Sequence, residues 1–106
     1  MSRPKYEYYG EVKKRIRGYA KDRPIVTIMQ GIYDTAIARA LEETSRMQDG
    51  AERVKVVEYV LIKGGSYIEA SFRYHYSDST VARWVSQFVN LVALYSGNLE
   101  QKESQR

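Results

Sequence analysis

The 106 residues include 17 Lys and Arg against 13 Asp and Glu, two Pro, seven Gly, one His and no Cys. A chain of this size favours one domain that buries roughly 65% of its extended surface on folding, and 43% apolar residues suffice for one core. Without cysteine there is no disulfide framework, no thiolate zinc site, no thiol nucleophile and no cysteine-held iron–sulfur cluster. No apolar run approaches the roughly 18 residues of a membrane span, and the start MSRPKYEYYG lacks an apolar signal-peptide core, so the expectation is a soluble, cytoplasmic protein with no membrane partner. Charge is uneven along the chain. Met1 to Pro24 carries eight basic against three acidic residues, net +5, while the remainder carries nine against ten. A basic leader beside a nearly neutral body suits an anionic partner.

No repeat or linker divides the sequence, which reads as an all-α single domain over 1–106: a basic helix within 1–24, a central helix within 25–48, a helix-turn-helix core over 49–97 and a polar tail over 98–106. From Tyr6 to Ala20, Tyr9, Val12, Ile16 and Tyr19 recur every three or four residues and leave Lys13, Lys14 and Arg17 outside. Lys21-Asp22-Arg23-Pro24 breaks that helix, and Pro24 suits the first turn of the next. From Ile25 to Met47, Ile25, Ile28, Met29, Ile32, Ala36, Ile37, Ala40 and Leu41 make an apolar stripe; its β-branched opening allows an extended start, and Gly31 marks a bend or a break.

Punctuation is clearer in the second half. Asp49 and Glu52 have capping-box spacing ahead of a helix that buries Val54, Val57, Val60 and Leu61 and ends at Gly64-Gly65. Ser66 and Glu69 repeat that spacing and open a short helix to Tyr74. After a turn at His75-Tyr76, Ser77 caps a longer helix with Val81, Trp84, Val85, Phe88, Val89, Val92 and Tyr95 inside, stopped by Ser96-Gly97-Asn98. A capped short helix, a tight turn and a capped longer helix form a helix-turn-helix, in which the first helix braces the second and the second offers its outer face to the major groove. Ala70 and Ser71 are small where the two helices approach. Ser77, Asp78, Ser79, Ala82, Arg83, Ser86 and Gln87 lie opposite the apolar face and are mostly short or hydrogen-bonding, as base and phosphate contacts require.

The run DGAERVKVVEYVLIKGGSYIEASFRYHYSDSTVARWVSQFVNLVA resembles region 4 of sigma-70-type factors, and more closely the small late-gene transcription activators of Gram-positive bacteriophages of the RinA and ArpU type. The likeness rests on a helix ending in a basic residue and glycines, a small-residue helix, and the turn into S-x-x-TV-x-RW. It implies a sigma-70 region 4-like trihelical core binding double-stranded DNA. Ser79, Arg83 and Gln87 would face bases; Ser77 and Thr80 would contact phosphate, with Ser66 and Arg73 in the phosphate or cap set, and the basic run with Lys13, Lys14 and Arg17, by its own charge, adds candidate phosphate contacts. The basic first helix would add phosphate contacts or touch RNA polymerase, and because one short recognition helix reads few base pairs, a homo-oligomer paired through the helix of Ile25–Met47 is a further expectation. Ser71 stands where Ala is usual, and His75 where Gly commonly makes the turn.

Other chemistry finds no footing. One His without cysteine or a carboxylate cluster builds no metal site, Glu42 and Glu43 are adjacent and do not face each other on a helix, and there is no phosphate-binding glycine loop or nucleophile elbow. The expectation is a non-enzymatic protein without metal or cofactor. Trp84, Tyr59, Tyr74 and Tyr95 read as core residues, leaving Tyr6, Tyr8 and Tyr9 as the more exposed aromatic cluster. Two alternatives to a transcription regulator remain open: the DNA-recognition module of a phage packaging protein, and a protein-interaction module that does not touch DNA.

Overall fold

The computed structural model describes the backbone of residues 4–97 and the side chains of residues 8–97; the polar tail 98–106 and the side chain of Tyr6 lie outside the described residues. The described residues are all-α: α1 (Pro4–Ile16), α2 (Ile28–Ser45), α3 (Gly50–Val57) continued by a π-helical turn over Glu58–Ile62, α4 (Tyr67–Tyr74) and α5 (Asp78–Tyr95). None of these helices is long and apolar enough to cross a membrane. α5 is the central helix and packs against α1, α2, α3 and α4, its broadest contact being with α2. Val81, Trp84, Val85, Phe88, Val89, Val92 and Ala93 of α5 are buried with Val12 and Ile16 of α1, Ala36, Ile37 and Ala40 of α2, and Val56, Val57, Val60 and Leu61 that follow.

Helix α1 is shorter than the apolar spacing predicts. It stops at Ile16 because Gly18 turns left-handed at φ 79° and donates its N–H to the Ile62 carbonyl at 2.9 Å. Tyr19 still packs against the core, but from the loop. Pro24 does not open α2 either. Thr27, extended at φ −135°, caps that helix by accepting from the Gln30 N–H, leaving Ile25 and Val26 in a non-helical lead. α2 runs unbroken through Gly31, where a β-carbon would make only ordinary contact with Ile25 Cγ2 at 3.4 Å, so the glycine marks neither a bend nor a break. The core stripe of α2 begins at Tyr33 and continues with Ala36, Ile37, Ala40 and Thr44, whereas Ile25, Ile28, Met29 and Ile32 are exposed.

The loop between α1 and α2 is tied down by one ion pair. Arg23 grips Asp34 with two nitrogens, at 2.6 and 3.1 Å, and donates a third bond to the Gly18 carbonyl, while Gln30 donates to Asp34 at 3.3 Å. Nearly all of the Asp34 side chain is buried, and these hydrogen bonds, the Arg23 pair foremost, hold its carboxyl below the usual carboxylate range against the opposing effect of burial.

The predicted Asp49–Glu52 capping box does not form. Asp49 adopts a left-handed conformation at φ 60° and makes no side-chain cap bond, whereas a capping residue needs extended backbone. The cause is tertiary. Gly50 is pressed so closely on the end of α2 that a β-carbon would lie 2.2 Å from the Ser45 carbonyl oxygen, and that approach dictates the turn. Glu52 instead pairs with Lys55 at 3.7 Å. Val54 is half-buried at the edge of the core-facing arc and Val56 takes the inner place. The π turn, with Lys63 N–H donating to the Glu58 carbonyl, completes the segment before Gly64-Gly65.

The Arg23–Asp34 pair predicts an acid sensitivity. Because the folded pKa of Asp34 is depressed, its contribution is present above the unfolded value near 3.8 and is lost as pH falls below it through the folded pKa. Asp34→Asn should destabilise the fold at pH 7 by about 2–4 kcal/mol and flatten the loss of stability below pH 4, as read by urea melts across pH.

Candidate nucleic-acid interface

Helix α4 begins with a complete capping box: Ser66 Oγ accepts from the Glu69 N–H at 3.0 Å, and Glu69 Oε1 accepts from the Ser66 N–H at 3.3 Å. The same Glu69 oxygen accepts from the Tyr59 hydroxyl, and these bonds, that from Ser66 first, hold its carboxyl below the usual range. Gly65 permits this arrangement, since a β-carbon there would lie 2.2 Å from the Tyr59 ring. Tyr59 in turn meets Tyr74 edge-on and lies under the Arg73 guanidinium at 5.2 Å, so Arg73 sits at the end of α4 rather than beside Ser66.

The turn between α4 and α5 is built from the two positions at which the sequence departs from the related pattern. His75 adopts the left-handed conformation, φ 64°, that a glycine would take, and its N–H closes on the Ser71 carbonyl at 2.9 Å. The Ser71 hydroxyl donates to the Tyr76 carbonyl at 2.5 Å, a bond that alanine could not make. Tyr76 then stacks edge-on against Trp84, ring centroids 4.7 Å apart, and fixes the start of α5 on its inner face. Trp84 is a core residue whose buried Nε1 has no hydrogen-bond partner.

At the start of α5, Ser77 Oγ accepts from the Thr80 N–H at 3.2 Å and lies 3.0 and 3.2 Å from the Thr80 and Ser79 hydroxyls, placing three hydroxyls around the first turn. Ser79, Arg83 and Gln87, four residues apart, are exposed along one side of the helix. Arg83 enters none of the ion pairs among the described residues. Gln87 is engaged: its amide oxygen accepts from Arg53 Nη1 at 2.8 Å. Arg53 also donates to the Gln48 carbonyl and lies 5.1 Å from the Trp84 ring centroid, so α3 sets a guanidinium beside the outer face of α5. This cation escaped the sequence reading, because 34 positions separate it from Gln87 and no local pattern marks it.

Lys13, Lys14 and Arg17 gather at another point of the same assembly. They line a cleft of about 400 Å³ together with Val60, Leu61, Gly65 and Tyr67, where the end of α1 meets the entrance to α4. Arg17 lies across Gly64, left-handed at φ 85°, where a β-carbon would come within 2.9 Å of the guanidinium carbon. Lys13 lies over the rings of Tyr9 and Tyr67. Burial and the neighbouring Tyr9 push the Tyr67 hydroxyl up to about 12, so it stays protonated at neutral pH. Lys14 and Arg17 also border a second cleft of about 370 Å³ with Arg15 and Arg23. The predicted exposed tyrosine cluster is not seen: Tyr8 and Tyr9 pack against the core, and the Tyr8 hydroxyl donates to Asn90 of α5 at 3.0 Å.

A protein family described as a helix-turn-helix domain matches residues 52–97, from α3 to the end of α5. No curated protein and no solved structure matches the chain.

The turn can be tested through His75. Left-handed backbone costs an L-residue about 1 kcal/mol and a β-branched residue more, so His75→Gly should leave stability equal or higher and His75→Val should lower it by about 1–2 kcal/mol in thermal melts. Ser71→Ala should lose about 1 kcal/mol through the missing bond to Tyr76. The matched segment and the capped α4–turn–α5 geometry coincide, and the chain carries a helix-turn-helix domain over residues 52–97, the structural class that points to DNA as its partner.

Proposed function

We propose that this protein is a non-enzymatic, sequence-specific regulator of transcription that binds double-stranded DNA, of the kind represented by phage late-gene activators. The observation that carries the reading is the division of α5 into two faces: its inner face is buried from Val81 to Ala93, and its outer face exposes Ser79 and Arg83 near a capped N-terminus, with Gln87 further along and held by Arg53. In this reading α5 enters the major groove, Arg83 donates to the acceptor edge of a base, and Ser77 and Thr80 meet the flanking phosphates. Arg53, held beside Gln87, adds a donor at the far end of the same face. The α1 cations supply sequence-independent attraction to the backbone at the α4 entrance, with Ser66 as the cap there.

A second reading, contact with RNA polymerase, draws on α4, where Ile68 and Phe72 lie one turn apart and are exposed. It is compatible with DNA binding and concerns a different face of the motif.

Selection of a preferred site from random duplex DNA, followed by titration of variants, tests the assignment. Arg83→Ala should lose about 1–3 kcal/mol on the selected site and little on random DNA, while Lys14→Ala should weaken both alike and reduce the slope of log K against log salt by about one. Equal loss on both DNAs from Arg83→Ala removes it from base reading, and absence of DNA binding at low salt leaves only the protein-contact reading.

A further inference from the structure

The sequence IVTIMQGI, residues 25–32, contains no charge, and its five large apolar side chains, Ile25, Val26, Ile28, Met29 and Ile32, are between 43% and 85% exposed. They form the lead into α2 and its first turn. Together they leave on the order of 600 Å² open to solvent, at the upper end of what a monomer tolerates as a single patch. Residues 98–106 of the chain contain one large apolar side chain, Leu99.

We infer that this patch is the self-association surface of the protein, and that two copies pair through residues 25–32 of each in an isologous, two-fold contact. Two observations converge on a second copy as the occupant. Face-to-face pairing of the patch with itself would bury about 1,200 Å² in total, the area at which specific protein interfaces begin. A two-fold contact sets the patch against its own copy, which repels where the patch carries charge of one sign; this one is neutral throughout, and Arg23 at its border is already neutralised by Asp34 at 2.6 Å. The pairing stands on the patch alone. If the DNA-reading proposal also holds, it joins two reading helices, so that one protein dimer meets two half-sites.

Sedimentation velocity on the full chain without DNA is the test. The wild type should sediment as a dimer at micromolar concentration. Ile28→Glu should weaken self-association at least tenfold with an unchanged helical circular dichroism spectrum, whereas Phe72→Ser, at the other exposed apolar site, should leave the dimer intact. A wild type that stays monomeric up to several hundred micromolar overturns the proposal, and so does a dimer that Ile28→Glu leaves intact. A monomer that instead binds anionic lipid vesicles through this patch likewise overturns it and makes the surface a membrane contact.

Discussion

The packing of every other helix onto α5 is the constraint from which the remaining arrangement follows. Val81, Val85, Phe88, Val89 and Val92 are each at most 1% exposed, and burial of such side chains contributes about 1.5–3 kcal/mol apiece, so α5 has one stable rotational setting about its axis. With the inner face fixed, the outer one is fixed too: Ser79 and Arg83 point away from the core because Val81 and Trp84 point into it. α1 and α3 both reach this outer face further along the helix, through the Tyr8–Asn90 and Arg53–Gln87 hydrogen bonds. A helix held on so many sides can present a few short side chains to a groove at little entropic cost.

A second constraint links affinity to reading. Gly64 and Gly65 carry no side chain where Arg17 and Tyr59 approach closely, and the Gly18 to Ile62 hydrogen bond pins the end of α1 at the same junction. Lys13, Lys14 and Arg17, far from α5 in sequence, are thereby held at the entrance of α4, one helix and one turn from the outer face of α5. Lys13, Lys14 and Arg17 and the outer face of α5 are therefore parts of one assembly rather than separate ends of a chain.

Local signals and tertiary ones divide what could be read from the sequence. Ser66 with Glu69, and Ser77 before its apolar run, are caps whose chemistry is complete within four residues, and both formed. The same spacing at Asp49 and Glu52 did not form, because the close approach of Gly50 to Ser45 sets the backbone there. Apolar periodicity located α2, yet it treated Ile28 and Ile32 as core when the buried stripe begins at Tyr33; periodicity shows that a face is apolar and is silent on what covers it. Arg53 beside Gln87, Arg17 over Gly64 and Arg23 on Asp34 are contacts between segments that only the folded chain brings together. The unusual His75 and Ser71 became legible only with the turn in view, where one takes the left-handed backbone and the other ties it shut.

The central claim is that α5 occupies the major groove and reads base edges there. Methylation interference on the selected DNA site tests it most directly, since methylation at guanine N7 blocks the major-groove edge and methylation at adenine N3 blocks the minor-groove edge. The account predicts interference at guanine N7 positions within a few consecutive base pairs per protomer. Interference confined to adenine N3, or none at any base, would contradict it.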